Sequence, residues 1–343
     1  MRKNRAVVAV VLIIATLIFA ISGCSGNGAG NATTTPQTDT QANPSQSVEW
    51  PTRSIQIVVP YAAGGDTDAY ARQLAKLLGS RLGVTAVVTN MEGSGGSIGS
   101  TYVKDAAPDG YTVFFGHLNM ILNYLFGVTN WQYDELDMAC SVVKDQYSSF
   151  DINAKNSHSW KTLDDVVSFA KQHPGEVKMG VQAGSFSYIV ALAFQQKAGI
   201  ELNMVDVGGS GTMAVALLGE QIDMMLGSLA SSSKYYESGD FLSVGVTAEE
   251  RHPEVPDIPT LKENGIDLVV DKCFGFYFPK GTPSEIIDIF NKAAEDAVMS
   301  DEFQSVCNET YRTIASFAPR DEALAIIADE AEFYSDLMKT IQK

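Results

Sequence analysis

The sequence has little cysteine, little histidine and a clear shortage of basic residues. Among 343 residues there are four cysteines, four histidines and 24 lysines and arginines, against 41 aspartates and glutamates. The formal net charge of −17 argues against binding to nucleic acid or to an anionic lipid surface. It does not exclude a small anionic ligand, because backbone N–H donors beside the ligand outweigh a distant net charge.

Histidine and cysteine are also too scattered to predict a metal centre or a disulfide framework. The histidines are His117, His158, His173 and His252, and the cysteines are Cys24, Cys140, Cys273 and Cys307. No two histidines and no two cysteines share helical or turn spacing, so neither a metal ion nor a cofactor is expected. A bridge between Cys140 and Cys273 stays open, with buried free thiols as the favoured state.

A long hydrophobic run is missing everywhere except at the N-terminus. Residues 1–23 begin with three basic residues, continue with an apolar run at 6–21 and contain no acidic residue, which is typical of a secretory signal peptide. The small residues directly before Cys24 resemble a bacterial lipobox, which predicts cleavage before Cys24 and a lipid on that cysteine. The alternative is a transmembrane anchor, which the length of the run disfavours because a span needs ~20 apolar residues.

Aliphatic side chains are almost absent from 25–50, which consist mostly of Gly, Ser, Asn, Thr, Gln and Pro. Such a segment cannot bury enough apolar surface to order itself, so we predict a flexible tether over 24–50 that begins at the lipidated cysteine. The protein is therefore expected on the extracytoplasmic face of the cell membrane, at the cell surface or on the periplasmic side. The remaining 293 residues, 51–343, are long for one core and sufficient for two lobes.

The most informative stretch runs from Ile55 to Arg72. Its first part, Ile55–Val59, is short, apolar and rich in β-branched residues, as a strand buried on both faces should be. Gly64 and Gly65 then allow a tight turn, and apolar residues at helical spacing follow. A strand, a glycine turn and a helix N-terminus together direct free backbone N–H groups towards an anion.

Three further turns of the same kind follow predicted strands, at 93–99, 182–185 and 208–211. All four turns are rich in Gly and in Ser or Thr, and none contains Lys or Arg. A single glycine turn is most simply a helix-capping turn. Four of them, two in each half of the chain, predict a small ligand, in particular a carboxylate, held by backbone N–H groups, hydroxyls and helix dipoles.

Strands and helices alternate along the chain, which predicts an α/β fold. Strands are predicted over 84–89, 111–115, 138–143, 149–153, 177–181, 202–207, 222–226, 242–247 and 274–278, and helices over 97–106, 120–126, 162–171, 186–197, 212–218, Ser284–Val298 and 320–339. The alternation indicates mainly parallel sheets flanked by helices. Two such sets joined by short strand pieces predict two lobes, with a cleft at the carboxyl ends of the strands.

An enzyme is the main alternative from another class. Residues 95–99 match the Gly-x-Ser-x-Gly pattern of a nucleophile elbow, with Ser97 as the candidate nucleophile. A catalytic triad needs an acid and a histidine later in the chain, and only His117 stands beside a predicted strand end. Ser97 also lies in a long glycine-rich loop, so a lipid-anchored serine hydrolase is the disfavoured interpretation. His117 is either a plain loop residue or a residue that faces the ligand.

Six segments together carry a family resemblance. They are Val-Val-Pro-Tyr-Ala-Ala-Gly-Gly-x-Thr-Asp at 58–68, Gly-Ser-Gly-Gly-Ser-Ile-Gly at 93–99, Ala-Pro-Asp-Gly-Tyr-Thr at 107–112, Leu-Leu-Gly-x-Gln-Ile-Asp at 217–223, Pro-Asp-Ile-Pro-Thr at 256–260 and Pro-x-Gly-Thr-Pro at 279–283. From about residue 51 to the C-terminus the chain resembles the Bug-type solute-binding receptors of tripartite tricarboxylate transporters.

The resemblance implies a two-lobed Venus flytrap of the periplasmic-binding-protein type II class. It places the first lobe at 51–145, the second lobe at 146–249 and a return to the first lobe at 250–343. The chain would cross near 141–146 and return near 246–250, with the C-terminal helices packed on the first lobe and closure about this hinge. It implies a monomeric receptor, not an enzyme, that delivers a small carboxylate to a permease of one large and one small subunit. A ligand-sensing receptor without its own permease is the alternative.

In this family the ligand carboxylate meets backbone N–H groups and waters at the first two glycine turns, and its distal groups meet the second lobe. The corresponding ligand-binding residues here are Tyr61, Ala63, Gly64, Gly65, Asp68, Ser94, Gly95, Gly96, Ser97, His117, Asn119, Gln182, Ala183, Gly184, Ser185, Val207, Gly209 and Ser210.

The chain departs from the family pattern in its second lobe and near the hinge. It has Tyr188 where the family often has histidine, Val207 at the start of a frequent Tyr-Lys-Gly, and Cys273 at a common tryptophan. The missing lysine argues against a second strongly charged carboxylate on the ligand. Asp206 or His117 would favour a ligand with an amine-bearing or neutral tail.

Overall fold

The computed structural model describes residues 48–341. The predicted signal peptide, Cys24 and nearly all of the predicted tether lie outside these residues. The described residues form two β-sheets, of six and five strands, each flanked by helices. This is the two-lobed α/β architecture expected from the sequence, and each lobe is defined below by its sheet.

The bounds of the elements are as follows. The strands are β1 (Ile55–Val59), β2 (Ala86–Asn90), β3 (Thr112–Gly116), β4 (Leu136–Asp145), β5 (Ser148–Asn153), β6 (Lys178–Val181), β7 (Asn203–Asp206), β8 (Met224–Ser228), β9 (Phe241–Val246), β10 (Lys272–Pro279) and β11 (Ile314–Ala318). The helices are α1 (Asp66–Leu82), α2 (Ser97–Lys104), α3 (Asn119–Leu125), α4 (Leu163–Gln172), α5 (Phe186–Ala198), α6 (Ser210–Leu218), α7 (Leu229–Glu237), α8 (Ser284–Val298), α9 (Asp301–Ser305) and α10 (Arg320–Ile341).

The strand, turn and helix predicted at 55–82 are confirmed. β1 lies between β2 and β3, pairs in parallel with both, and buries four of its five residues. α1 begins directly after Gly65 and ends at Leu82. Gly83 then takes φ 71°, a left-handed conformation that glycine adopts at no steric cost, and its N–H bonds back to the Gly79 carbonyl oxygen.

Both sheets are mixed rather than mainly parallel. The first sheet has the order β11-β4-β10-β3-β1-β2 and the second β7-β6-β8-β5-β9. Four of the strand pairings are parallel, β1 with β2 and β3, and β6 with β7 and β8. The five others are antiparallel and involve β4, β5, β9, β10 or β11. The strands that run between the lobes and back must reverse direction, and they insert among the βαβ strands as antiparallel neighbours.

The chain passes between the sheets at two places. β4 ends at Asp145 in the first sheet and β5 begins at Ser148 in the second, so two residues make the first connection. After β9, the segment 247–271 leads back to β10 in the first sheet. The strands of the first sheet thus fall within 55–145 and 272–318, and those of the second within 148–246. The lobe boundaries 51–145, 146–249 and 250–343 stay a prediction.

The C-terminal helix α10 contacts both lobes, not the first lobe alone. It packs on β4 and β10, and the Tyr334 hydroxyl donates to the Asp271 carbonyl oxygen at 3.1 Å. On the other side, Gln196 Nε2 in α5 donates to the Thr340 carbonyl oxygen at 3.1 Å. Phe186 meets Tyr334 edge-on, with 6.2 Å between ring centroids. One continuous core therefore runs from the first sheet through α10 to α5.

Three elements escape prediction from the sequence, namely α7, the short helix α9 and β11. α7 carries three consecutive serines, which are weak helix formers, and it is held at its start by a capping box between Ser228 and Ser231. β11 is a half-exposed edge strand, paired only to β4. The predicted strand at 138–143 is also longer than expected and continues through Lys144 and Asp145, because both charged residues find ion-pair partners.

Candidate functional site

The four glycine turns face one another in pairs across the gap between the sheets. The turn after β1 meets the turn after β7. A Cβ atom built on Gly65 would lie 2.8 Å from Ser210 Oγ, and one on Gly211 would lie 3.3 Å from the Ala63 carbonyl oxygen. These residues belong to different lobes, so the lobes are in van der Waals contact at this point.

The turn after β2 meets the turn after β6 in the same way. A Cβ atom on Gly95 would lie 2.8 Å from Asn123 Oδ1 and 3.1 Å from the Ala183 carbonyl oxygen. Gly95 also has φ 65°, which favours glycine independently of the space around it. The glycines at these turns therefore allow the lobes to approach, in addition to shaping each turn, and the structure represents a closed cleft.

The cleft contains two cavities that share Tyr61, Gln182 and Gly209. The inner cavity, of about 50 Å³, is lined by Tyr61, Asp66, His117, Asn119, Gln182, Ser185, Phe186, Ser187, Gly209, Ser210, Met213, Leu226, Gly227 and Lys272. The outer cavity, of about 630 Å³, is lined by Tyr61, Ala62, Glu92, Gly93, Ser94, Gly95, Phe126, Val128, Gln182, Ala183, Gly184, Asp206, Val207, Gly208, Gly209 and Thr212.

Twelve of the eighteen predicted ligand-binding residues line one or both cavities. They are Tyr61, Ser94, Gly95, His117, Asn119, Gln182, Ala183, Gly184, Ser185, Val207, Gly209 and Ser210. The six that line neither cavity are Ala63, Gly64, Gly65, Asp68, Gly96 and Ser97. Gly96 is a contact residue of another kind, since a Cβ there would lie 3.3 Å from atoms of Pro60 and Tyr61.

The N-terminus of α1 is already occupied by carboxylates of the chain itself. Asp68 Oδ2 accepts from the Gly64 N–H at 3.0 Å, and Asp66 Oδ1 accepts from the Thr67 N–H at 2.7 Å. Asp68 is also bound by Arg72 at 2.8 Å. Burial acts to raise the pKa of Asp68, but the hydrogen bonds from Arg72 and Gly64 outweigh it and lower the pKa. The helix-terminal donors expected to bind a ligand are thus partly used within the turn.

A buried cluster of three charges lies beside the inner cavity. Lys272, at the start of β10, forms an ion pair with Asp66 and lies 3.5 Å from Asp145 at the end of β4. All three side chains are almost fully buried. Burial acts against the charge on Lys272, but the two carboxylates outweigh it and raise the pKa of the ammonium. Burial likewise acts to raise the pKa of Asp66, and Lys272 outweighs it and lowers that pKa.

Asn119 links the two lobes through its side-chain amide. Its Oδ1 accepts from the backbone N–H of Phe186, in the second lobe, at 3.0 Å. Its Nδ2 donates to the Gly95 carbonyl oxygen at 3.2 Å and to the Tyr61 hydroxyl. Asn123, one helical turn later, donates to the same Gly95 oxygen at 3.3 Å, while its Oδ1 is buried with no hydrogen-bond partner among the described residues.

His117 lies at the inner cavity as a neutral residue. Its ring is stacked on Tyr61 at 5.5 Å between centroids and meets Phe274 edge-on at 5.0 Å. Burial, reinforced by the nearby ammonium of Lys272, lowers the pKa of His117 to about 3. The side chain is 6% exposed, and its Nδ1 has no hydrogen-bond partner among the described residues. The sequence leaves open whether His117 is a plain loop residue or a residue that faces the ligand. In the structure, His117 lies beside the inner cavity.

Ser97 is not arranged as a catalytic nucleophile. It begins α2 and faces a different surface depression, with Thr101 and Lys104. In the part of the chain that the structure describes, no hydrogen bond joins Ser97 to a histidine. Its N–H donates to the Ser94 carbonyl oxygen, and its carbonyl oxygen accepts from the Ser100 hydroxyl.

Several residues that line the cleft were missed in the sequence, chief among them Asp66 and Lys272. Asp66 stands directly after Gly65, so its position in the first glycine turn is a usable signal. Lys272 carried no local signal, because it lies 206 residues from its partner.

The three residues that depart from the family pattern lie in different parts of the structure. Val207 lines the outer cavity, Tyr188 packs against Phe126, and Cys273 lies on the opposite side of β10 from the cleft.

The structure of residues 48–341 also bears on the predicted state of the cysteines, on metal binding and on membrane-spanning helices. Cys140, Cys273 and Cys307 are free thiols. Within this part of the chain, no three His, Cys, Asp or Glu side chains are placed to hold a metal ion. No helix among these residues is long and apolar enough to cross a membrane.

The chain is similar to a defined group of receptors. The sequence model of the tripartite tricarboxylate transporter family receptor matches residues 70–341. The protein BugT of Bordetella pertussis is 29% identical over 304 residues, which cover 87% of this chain and 92% of BugT. The structure of the periplasmic binding protein BugD superposes with a TM-score of 0.80 at 26% identity, covering 85% of this chain and 99% of BugD. An R. palustris protein solved with adipate also gives a TM-score of 0.80 at 26% identity, covering 86% of this chain and 99% of that protein.

Proposed function

We propose a function for this chain on the premise that it belongs to the tripartite tricarboxylate transporter family of receptors. It is a solute-binding receptor of that family and not an enzyme. The finer function that we propose is the capture of a small organic carboxylate between the two lobes and its delivery to the membrane permease of such a transporter.

One observation carries the proposal, namely that the four glycine turns meet in pairs around two neighbouring cavities that share lining residues. The lining offers hydroxyls, amides and backbone groups, with Lys272 as its one cationic side chain among the described residues. The donors among these groups suit a ligand carboxylate that is held by hydrogen bonds. A relative with the same fold was solved with adipate, a dicarboxylate, which supports the carboxylate class for this chain.

Ligand capture is tested by a thermal-shift titration of the purified chain against monocarboxylates, dicarboxylates, tricarboxylates and amino acids. A ligand present at 100 times its dissociation constant adds about 2.7 kcal/mol to the free energy of unfolding, which is a readily visible shift. The test variant is Asn119→Leu, which keeps the branched shape of the side chain and removes the hydrogen bond between the lobes. We expect the ligand-induced shift to fall in this variant. No shift with any carboxylate, confirmed by calorimetry, would refute the proposal.

The proposed location is the extracytoplasmic face of the cell membrane, with the chain anchored by a lipid on Cys24. The support is the pattern at 1–24, a basic start, a short apolar run and small residues before the cysteine. Metabolic labelling with a radioactive fatty acid tests it. Wild type should be labelled and sediment with membranes, whereas Cys24→Ala should lose the label. A labelled Cys24→Ala variant would contradict the assignment.

A further inference from the structure

We propose that the inner cavity selects a carboxylate that also carries an ammonium group, with Asp66 as the acceptor for that ammonium and Lys272 as the partner of the carboxylate. The ligand class is thus a zwitterion of the amino-acid type and not a dicarboxylate. This inference rests on the proposed capture of a carboxylate and specifies its chemistry.

The charged residues that line the cleft are mostly acidic. The lining of the two cavities contains three acidic residues, Asp66, Glu92 and Asp206, against the single cation Lys272. Asp145 adds a further carboxylate 3.5 Å from the Lys272 ammonium. A dicarboxylate would bring two more negative charges into this surrounding. A zwitterion adds no net charge, so its entry avoids that repulsion.

A zwitterionic ligand can replace the internal ion pair without leaving a buried charge unpaired. In the structure, Asp66 and Lys272 are each other's main partners. A plain carboxylate that binds Lys272 would compete with Asp66 and leave its carboxylate without the cation. A ligand that brings its own ammonium supplies Asp66 with a new partner, while Lys272 binds the ligand carboxylate and keeps Asp145 nearby. Both charges stay paired, as buried charges require.

A ring nitrogen beside the inner cavity has no hydrogen-bond partner among the described residues. His117 Nδ1 has no partner, and its ring is neutral and cannot serve as a second cation. A neutral imidazole can accept a hydrogen bond at such a nitrogen, so it suits an occupant that brings donors, and an ammonium group has three.

The sizes of the two cavities fit such a ligand. The inner cavity, at about 50 Å³, has room for about three to five water-sized groups, which matches an ammonium and a carboxylate on one carbon. The outer cavity, at about 630 Å³, would hold the side chain. Its apolar lining includes Phe126, Val128 and Val207, and its charged residues are Glu92 and Asp206, so the side chain should be uncharged or cationic.

The test compares amino acids with their counterparts that lack the amino group. The purified chain is titrated by calorimetry with L-leucine and 4-methylpentanoate, L-phenylalanine and 3-phenylpropanoate, and L-lysine and 6-aminohexanoate, and with malate and adipate. The expected result is at least one α-amino acid that binds on the order of tenfold or more tightly than its partner, since hydrogen bonds to charged groups have that strength. N,N,N-trimethyl-L-leucine has no N–H to donate and should bind as weakly as 4-methylpentanoate.

The outcomes separate this inference from the proposed function. If malate, adipate or a compound lacking the α-amino group binds as tightly as every amino acid, the inference is overturned and carboxylate capture stands. If no probe binds, the proposed function falls and the inference falls with it. If an amino acid is preferred, Asp66→Asn should reduce the preference to about threefold or less. The matched control is Asp296→Asn, which alters an exposed ion pair with Lys292 and should keep the preference. A folded Asp66→Asn protein with an unchanged preference would overturn the role of Asp66.

Discussion

The substitution Glu330→Gln should stabilise the protein at neutral pH. Glu330 lies on α10 behind β10, where its Oε1 accepts from the Cys273 N–H at 2.9 Å. Burial raises the pKa of this carboxyl from 4.5 to about 8. The folded state therefore keeps a proton that the unfolded chain has released between these pH values, so the free energy of unfolding falls as the pH rises. At pH 7 the deficit is roughly 3 kcal/mol, at about 1.4 kcal/mol for each unit.

Glutamine keeps the oxygen that accepts from Cys273 and never ionises, so it removes this deficit. Its amide nitrogen needs a partner of its own, which offsets about 1 kcal/mol. The net expectation is a gain of roughly 2 kcal/mol at pH 7 that turns into a loss of up to about 1 kcal/mol near pH 4.5, where only the cost of the amide remains. Urea unfolding followed by circular dichroism at both pH values measures it. Glu332→Gln, an exposed change on the same helix, is the control and should show neither effect. A Glu330→Gln protein with an unchanged urea midpoint at pH 7 would refute the argument.

Three further predictions concern the cleft and the turn at the start of α1. Burial lowers the pKa of His117 to about 3, whereas the unfolded chain accepts a proton on this residue below pH 6.5. The free energy of unfolding therefore falls as the pH falls. In urea titrations, the decrease between pH 7 and pH 5 should be about 2 kcal/mol smaller for His117→Gln than for wild type. Gly65→Ala should weaken ligand binding up to about tenfold with little change in the melting temperature. The reason is that the added Cβ would reach Ser210 Oγ only when the lobes close. The double variant with Ser210→Ala should recover part of the affinity. Asp68→Ala should lower the free energy of unfolding by about 2 kcal/mol, because it leaves the Gly64 N–H and Arg72 without their acceptor; a melting temperature equal to that of wild type would show that the turn does not depend on this carboxylate.

The positions of the turns could be predicted from the sequence because each is specified by local chemistry. The β-branched run at Ile55–Val59, the glycines after it and the left-handed Gly83 all lie within one short stretch and obey local rules. The mixed direction of the sheets could not be predicted in this way. It depends on where β10 inserts, and β10 pairs with β3 and β4, which precede it by more than 120 residues.

Weak local signals also explain the missed elements. α7 depends on the capping box at Ser228 and on packing against β8 and β9, which outweigh the low helix propensity of its serines. The edge strand β11 depends on pairing with β4, which no local pattern reveals. In both cases tertiary contacts supply what the local sequence lacks.

The charge of the ligand is the property that the local patterns determine least. The sequence around Asp66 has the form of a helix cap, and it would have the same form whether that carboxylate faced solvent, a ligand or a cation. What decides is Lys272, which the register of β10 places opposite Asp145 and beside Asp66. The glycine turns therefore predict where a ligand lies, while two residues far apart in the chain determine which charge it can carry. A receptor with the same four turns and the same lysine, but with an uncharged residue in place of Asp66, should lose the preference for an ammonium group and accept a plain carboxylate. Replacing Asp66 by Asn in this chain should convert one specificity into the other without leaving Lys272 unpaired, because Asp145 lies 3.5 Å from its ammonium.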